Sequence, residues 1–177
     1  MTIRRARVED AAAIAAIYAA YVLDTPITFD TEVLSPADVR GRIEEAGDRF
    51  PWLVAEEAGA VAGYAYAAAF RTRAAYRFAV ETTVYVKRGA EGRGLGSALY
   101  RPLLDLLERQ GFTQAIAAIT VPNEASVAIH ERLGFVHAGT YRQVGWKLGR
   151  WRDVGLWQRP LAPARTPPQE PLPLSAL

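Results

Sequence analysis

A glycine-dense loop joins an apolar strand to a helix in residues 84–97, VYVKRGAEGRGLGS. Gly92, Gly94 and Gly96 stand at alternate positions, and glycine adopts backbone conformations that are closed to other residues. Their N–H groups can then face one way and meet an anion at the N-terminus of the following helix. The loop predicts a phosphate or diphosphate ligand; the alternative is a tight strand-to-helix turn that binds nothing.

Two well-known phosphate loops do not fit this stretch. The Walker loop is excluded because no Gly-Lys-Ser/Thr follows the glycines. The dinucleotide fingerprint G-x-G-x-x-G requires a glycine where Ser97 stands, and no acidic residue follows a strand about twenty residues later. The loop also lies in mid-chain, not in a first strand–helix unit. A different class of diphosphate ligand is therefore indicated.

The elements around the loop predict one α/β (α+β) domain with a mixed sheet. Apolar periodicity, Ser35-Pro36 as a helix start and glycines as helix ends give the order β-α-α-β-β-β-α-β-α-β-β. The predicted strands cover residues 3–8, 52–55, 61–70, 80–87, 115–121 and a strand from Phe135 that leads into a hairpin at 144–158; the helices cover residues 9–23, 35–47, 95–109 and 123–133.

Composition excludes several classes of protein. The chain has 177 residues, is 50% hydrophobic and carries a net charge of +2, which suits a folded domain with a core. It has no cysteine, so disulfides, thiolate metal sites and a cysteine nucleophile are impossible. It has only two histidines, His130 and His137, which does not favour a histidine-rich metal centre. No basic run exceeds two residues, so no nucleic-acid-binding face is indicated.

The two ends of the chain need separate interpretation. Three arginines before an Ala-rich run at 11–23 superficially resemble a secretory signal, but Glu9 and Asp10 interrupt it. Apolar residues also recur at i, i+3, i+4 and i+7 from Ile14, which indicates an amphipathic helix instead of a signal peptide. A cytoplasmic protein is therefore expected. Residues 1–160 form the predicted domain, and the proline-rich residues 161–177 are expected to be disordered.

Two motifs resemble the GNAT family of acetyl-CoA-dependent N-acetyltransferases. The family pattern Arg/Gln-x-x-Gly-x-Gly/Ala matches residues 91–96, except that Glu91 replaces Arg or Gln. An Asn opens a helix ending in Gly-Phe, here Asn123 to Phe135. Further blocks at 51–56, 62–66, 81–86, 95–100 and 149–154 resemble the phosphinothricin/methionine sulfoximine acetyltransferase branch over about residues 2–160.

The resemblance implies the GNAT fold, a mixed, mostly antiparallel sheet of about six to seven strands with about four helices. It also implies acetyl transfer from acetyl-CoA to the amine of a small amino-acid-like acceptor, without a metal, in a homodimer. Backbone groups of the strand before the loop would meet the pantetheine arm, and the Val86 N–H would be the oxyanion donor. The implied cofactor-binding residues are Val84, Tyr85, Val86, Glu91, Gly92, Arg93, Gly94, Leu95, Gly96, Ser97 and Asn123.

Glu81 and His130 are the candidate catalytic residues. A half-buried Glu81 on the strand before the loop would have a raised pKa, which suits a general base acting directly or through water; the alternative is an exposed acid or an ion pair with an arginine. His130 stands where the resembled branch carries a histidine that could act as acid or base; the alternative is a packed helix histidine. His137 is given no functional role.

The loop before Glu81 is the candidate acceptor site. Guanidinium groups bind carboxylate, phosphinate or sulfone groups well, although a solvated basic loop is nearly as good an explanation. Lys147, Arg150 and Trp151 could line the acceptor pocket or a subunit contact. The implied substrate-binding residues are Arg71, Thr72, Arg73, Tyr76, Glu81, Thr82 and Thr83.

Two other functions stay open at this point. A non-catalytic acyl-CoA-binding module would keep the glycine loop but could dispense with Glu81 and His130, whose presence favours the enzyme. A GNAT enzyme that acetylates a protein N-terminus or an aminoglycoside is the third hypothesis, and the branch-like blocks argue against it.

Overall fold

The computed structural model describes residues 1–177 and contains seven strands and four α-helices in the predicted order. The strands are β1 (Thr2–Arg5), β2 (Trp52–Glu57), β3 (Ala60–Ala69), β4 (Ala79–Val86), β5 (Gln114–Val121), β6 (Val136–Lys147) and β7 (Arg150–Pro160). The helices are α1 (Ala11–Asp24), α2 (Pro36–Ala46), α3 (Leu95–Gln110) and α4 (Glu124–Arg132). The predicted fold class is confirmed. None of the helices combines the length and the apolar content that a membrane span requires.

One sheet contains all seven strands in the order β1-β2-β3-β4-β5-β7-β6. Every neighbouring pair is antiparallel except β4 and β5, which are parallel. The parallel ladder has only three pairs and stops at Glu81 opposite Ile116, although β4 continues to Val86 and β5 to Val121. The sheet therefore opens between β4 and β5 along the second half of both strands.

Helices cover both faces of the sheet. The larger core includes α3, whose Leu99, Leu103 and Leu107 are fully buried where the helix packs on β2, β3 and β4. Each such leucine contributes about 1.5–3 kcal/mol of apolar burial. The second core packs α1 and α2 against an aromatic face that includes Tyr64 and Tyr85. The two faces of the opening are thus lined by different helices.

The helix starts follow the predicted capping chemistry. Ser35 accepts the Asp38 N–H, and the Asp38 carboxylate in turn accepts the Ser35 N–H. Asn123 Oδ1 accepts the Ser126 N–H at 3.2 Å, which satisfies one of the free donors of α4. α3 differs, because its N-cap is Gly94 and no side chain caps it.

Residues 161–177 contain no strand or α-helix but lie on the domain. The Leu172 N–H donates to Gln110 O, Leu174 is buried, and Arg77 forms an ion pair with Glu170 at 2.7 Å. The segment's five prolines prevent regular hydrogen bonding, which is why the sequence predicts disorder here. In the structure the segment instead lies along α3 without needing regular hydrogen bonding, because a few side-chain and backbone contacts hold it.

Candidate active site

The edge of β4 that faces the opening carries free backbone positions. The Lys87 N–H donates to Ala62 O, so the alternation of an antiparallel ladder turns Val84 and Val86 away from β3 and toward the gap. The Val86 carbonyl accepts the Tyr21 hydroxyl at 2.6 Å on that side. The gap can therefore offer main-chain donors and acceptors to an extended ligand lying along β4.

The glycine loop ends in an uncapped helix N-terminus. Gly92 and Gly94 have φ of +74° and +81°, the left-handed region that the alternating glycines predicted. The first helical bond runs from the Ala98 N–H to Gly94 O, which leaves the N–H groups of residues 95–97 without helical acceptors. Three aligned donors and the positive end of the helix dipole favour an anion here.

Gly96 has a different role from the other two glycines. It lies inside the first turn of α3, and a Cβ at this position would stand 3.0 Å from Ile129 Cδ1 of α4. The missing side chain lets α3 and α4 approach closely. The loop thus needs glycine at Gly92 and Gly94 for backbone conformation and at Gly96 for packing.

A cavity of about 440 Å³ lies between the glycine loop, β4 and α4. It is lined by every residue of the predicted cofactor-binding set except Arg93, namely Val84, Tyr85, Val86, Glu91, Gly92, Gly94, Leu95, Gly96, Ser97 and Asn123. Arg93 instead points toward β2, where it forms an ion pair with Glu57 at 3.0 Å. Arg88 and Arg132 line the cavity and supply its positive charge in place of Arg93.

Glu91 is used within its own loop. Its carboxylate accepts the Gly89 N–H at 2.6 Å, which ties the first part of the loop together. The family pattern has a cationic or amide side chain at this position. Here the side chain supports the loop backbone, and the charge for an anion comes from Arg88 and Arg132.

Asn123 has two separable functions in one side chain. Its Oδ1 caps α4, while the residue lines both the large cavity and a smaller one between β4 and β5. The capping bond uses only the carbonyl end of the amide. The amide nitrogen stays free to donate to a ligand, so the cap and the predicted ligand contact are compatible.

Glu81 lies at the point where the β4–β5 ladder ends. It shares the α1/α2 face of the sheet with Thr83 and Tyr85, since strand neighbours alternate. Burial raises the pKa of the Glu81 carboxyl, and the positive charge of Arg71 lowers it by a smaller amount. Glu81 is half-buried. The five ion pairs of the chain involve other residues, so Glu81 is not paired with an arginine.

His130 is buried, with 4% of its surface exposed, and each ring nitrogen has a partner. Nδ1 lies 2.7 Å from Ser126 O, a carbonyl that can only accept, so Nδ1 carries a proton. Nε2 lies 2.8 Å from the Tyr100 hydroxyl. Burial lowers the pKa of His130, so the ring is neutral near pH 7 and Nε2 accepts the Tyr100 proton.

Tyr100 connects His130 to β4. Its hydroxyl also lies 3.2 Å from Thr82 Oγ1, which in turn lies 3.4 Å from Ile116 O. If Nε2 gains a proton, it can donate to the Tyr100 oxygen, and the Tyr100 proton turns to Thr82. Both protonation states of His130 are therefore hydrogen-bonded, and the change needs only hydroxyl rotation.

Glu81 and His130 lie on opposite faces of the sheet. Thr82 contacts the Tyr100–His130 pair, and strand alternation puts Glu81 on the other side. A cavity of about 50 Å³ lies in the gap, lined by Thr82, Thr83 and His130 among others. It is large enough for one or two water molecules. His130 lines this cavity, whereas Glu81 lines neither the small nor the large cavity.

The predicted acceptor residues separate into two groups. Thr82 and Thr83 line the small cavity, whereas the other five line neither cavity: Glu81 is half-buried, and Arg71, Thr72, Arg73 and Tyr76 are exposed. Arg71 packs over Phe70 with its guanidinium carbon 4.6 Å from the ring centre. Its charge still acts on Glu81, so this loop lies beside the carboxylate.

Tyr100, Arg88 and Arg132 are site residues that the sequence analysis missed. A tyrosine at a buried helix position needs a partner for its hydroxyl, which is the one signal that could have identified Tyr100. Arg88 precedes the glycine loop in the sequence and Arg132 follows His130 by two residues. Only the fold brings both arginines to one cavity. No group of three or more His, Asp or Glu side chains is arranged to hold a metal ion.

The comparisons with known proteins agree with this geometry. A family model described as an acetyltransferase (GNAT) domain matches residues 3–156. A phosphinothricin N-acetyltransferase of Streptomyces viridochromogenes is 46% identical over 157 residues, 89% of this chain and 86% of the relative. An L-methionine sulfoximine/L-methionine sulfone acetyltransferase of Pseudomonas paraeruginosa is 38% identical over 172 residues, 94% of this chain and 98% of the relative.

A solved structure has the same fold. The crystal structure of a GNAT superfamily phosphinothricin acetyltransferase from Sinorhizobium meliloti in complex with AcCoA superposes with a TM-score of 0.88. It is 41% identical, and the match covers 91% of this chain and 88% of that chain.

Proposed function

The chain belongs to the GNAT acetyltransferase family and is an acetyl-CoA-dependent N-acetyltransferase, and we propose that its acceptors are small amino acids of the phosphinothricin, methionine sulfoximine or methionine sulfone type. The similarity to two acetyltransferases with such names supports the acceptor class. Acetylation of phosphinothricin, a herbicide, would make a cell resistant to it. We assign the enzyme to the cytoplasm, where acetyl-CoA is available.

The single observation that carries the acetyl-CoA-dependent function is the uncapped N-terminus of α3 at the large cavity. Three free N–H groups and two arginines fit a diphosphate, and the 440 Å³ cavity continues from there along β4. Acetyl-CoA supplies an acetyl group as a thioester that an amine can attack. Val84 and Val86 would bond the arm that carries it, and the Asn123 amide would hold the same arm.

We assign the removal of the acceptor proton to Glu81. The amine must lose a proton before it attacks, and a carboxylate with a raised pKa is a better base near neutral pH than an ordinary one. The neighbouring arginine-bearing loop at 71–76 would hold the acceptor carboxylate or phosphinate. The Val86 N–H faces the gap and would stabilise the oxygen that gains charge during attack.

We assign delivery of a proton to the leaving thiolate to His130. The ring lines both cavities, and its Tyr100 and Thr82 partners support either protonation state. Nε2 is bonded to the Tyr100 hydroxyl and Nδ1 to the Ser126 carbonyl, so protons would enter and leave the ring through Tyr100, which lines the small cavity. Water in that cavity would supply the proton that the ring takes up first, because the neutral form dominates near pH 7.

We expect His130→Asn to lower kcat by about 10²-fold, the contribution typical of a positioned acid or base. The Kd for acetyl-CoA should stay within about threefold, because the diphosphate site is unchanged. Steady-state kinetics and calorimetry measure the two quantities. His137→Asn is the matched control, since His137 is exposed and bonds only Thr140. A variant that keeps wild-type kcat would remove His130 from the mechanism.

The enzyme is tested with an acceptor panel. Thiol release and product mass are measured for phosphinothricin, methionine sulfoximine, methionine sulfone, an aminoglycoside and a peptide with a free N-terminus. We expect an increase of one acetyl group on the first three and none on the last two. Binding of acetyl-CoA without acetylation of any acceptor would favour a non-catalytic module.

We also propose that the enzyme is a homodimer. Edge strand β6, the turn after it and the start of β7 expose five large apolar side chains, Tyr141, Val144, Trp146, Leu148 and Trp151. An exposed apolar edge strand is typical of a surface that another chain covers. The resemblance to the phosphinothricin/methionine sulfoximine branch implies that the covering chain is a second copy of the same protein. Light scattering should give twice the chain mass of 19.4 kDa; the single mass at micromolar concentration would contradict this.

A further inference from the structure

Lys147, the last residue of β6, is one of the most buried charged groups in the chain. Only 6% of its surface is exposed. Its ammonium donates to the Thr28 carbonyl at 2.7 Å and to the Asp30 carbonyl at 2.8 Å. These residues are more than 115 positions away in the sequence. A buried ammonium with two carbonyl acceptors fixes the backbone that presents them.

The segment held in this way, residues 25–30, follows α1 and has no regular structure. Tyr18 supports it from α1 through its hydroxyl, which bonds Thr28 Oγ1 and Asp30 Oδ2. Thr120 of β5 donates to Ile27 O at 3.4 Å. The segment therefore depends on side chains from three separate elements for its position.

Gly145 provides a second fixed point on β6. The Phe29 ring lies directly on it, and a Cβ at this position would overlap the ring. Lys147 and Gly145 thus hold the same segment, one through hydrogen bonds and the other through close packing. The two contacts involve different atoms and can be removed independently.

Ile27 lies at the centre of the held segment and lines both cavities. It shares the large cavity with Val84 and Asn123, and the small cavity with Thr83 and His130. It therefore forms the wall where the two cavities meet. In the proposed function this is where the thioester and the amine come together, since the large cavity would hold the cosubstrate and the small one is lined by Thr82 and Thr83, the residues that follow Glu81 on β4.

We propose that Lys147 is a positioning residue for the acceptor: through the carbonyls of Thr28 and Asp30 it fixes Ile27 as the wall against which the amine is aligned. The inference rests on the proposed function. Ile27 lines the large cavity, but no hydrogen bond joins residues 25–30 to the glycine loop or the start of α3, so the diphosphate contacts should depend little on Lys147. The effect should fall on the acceptor, because small errors in the placement of a reactant cost large factors in rate.

The test uses the acceptor that the wild type acetylates most efficiently in the panel. Lys147→Met keeps the stem but removes the donors, and we expect the acceptor KM to rise about tenfold or more. The Kd for acetyl-CoA should change by less than about threefold. Gly145→Ala should give the same pattern, because the new methyl group displaces Phe29. Gly139→Ala on the same strand is the control, since nothing lies within 4 Å of its Cβ.

Hydrogen exchange gives a readout independent of turnover. Amides 27–30 should exchange faster in Lys147→Met and Gly145→Ala, while those of α3 keep wild-type rates. Unchanged acceptor KM in both variants, or equal increases in acceptor KM and acetyl-CoA Kd, would overturn the inference while wild-type acetylation still supports the proposed function. A wild type without activity would refute the proposed function. Wild-type exchange rates at amides 27–30 in both variants would refute the role of Lys147 and Gly145 in holding residues 25–30.

Discussion

Glu81→Gln is expected to lower kcat by about 10²- to 10⁴-fold, the range that a positioned general base contributes. The amide keeps the size of the side chain but cannot accept the ammonium proton. Acetyl-CoA binding should be unaffected, because the glycine loop lies at the other end of β4. Steady-state kinetics with the best acceptor measure kcat, and calorimetry measures cosubstrate affinity.

The wild-type pH profile should carry the signature of the same carboxyl. Burial raises the Glu81 pKa above its ordinary value of 4.5, so kcat/KM should rise with pH along a limb centred above that value. Arg71 lowers the pKa in part, so Arg71→Gln should move the limb to higher pH. In Glu81→Gln the limb should disappear.

The change in unfolding temperature of Glu81→Gln shows whether a loss of activity comes from the missing base or from a damaged fold. The Glu81 pKa is higher in the folded state than in the unfolded state, so the protonated form stabilises the fold. That stability is present at low pH and is lost as pH rises through the folded pKa. At pH 7 the charged carboxylate is therefore unfavourable, and Glu81→Gln should unfold at a higher temperature than the wild type.

Glu108→Gln on the far end of α3 serves as the control for loss of a carboxylate. Glu108 is exposed and lines neither the large nor the small cavity, so kcat should not change. Glu81→Gln with kcat within about threefold of wild type would assign the base to another group. A lower unfolding temperature would instead contradict the buried, unpaired state of the carboxylate.

The local parts of the site could be predicted because they depend on neighbours in the sequence. Gly92 and Gly94 adopt the backbone that alternating glycines allow, and the helix start at Asn123 follows from its side chain. The raised pKa of Glu81 followed from its place on an apolar strand. The glycine backbone and the helix cap are determined within a few residues, whereas the burial of Glu81 also needs the helices that cover its face of the sheet.

The remaining features depend on contacts between distant residues. Arg93 stands in the loop motif, yet Glu57 of the neighbouring hairpin turns it away from the cavity. The Tyr100–His130 bond joins two helices that touch only because Gly96 permits their approach. Residues 161–177 contain no α-helix or strand, in keeping with their proline content, but proline content carries no information about the Gln110 and Asp48 groups that bind them.

Gly94→Val is expected to raise the acetyl-CoA Kd and KM about five- to 150-fold. Gly94 has φ of +81°, and a β-branched residue in that conformation costs about 1–3 kcal/mol, where 1.4 kcal/mol is tenfold in binding. Relief of the strain would turn the loop and misdirect the N–H groups of residues 95–97. The acceptor KM should stay near wild type, because Glu81 and the 71–76 loop are not attached to this turn.

Gly59→Val distinguishes misdirected donors from simple strain. Gly59 has φ of +78° in the β2–β3 turn, and, as at Gly94, no atom lies within 4 Å of an added Cβ. Both substitutions should lower the unfolding temperature by similar amounts, since the strain is the same. Only Gly94→Val should weaken acetyl-CoA binding. Equal cosubstrate affinities in the two variants would mean that the diphosphate is not held at the start of α3, and the proposed site would have to be abandoned.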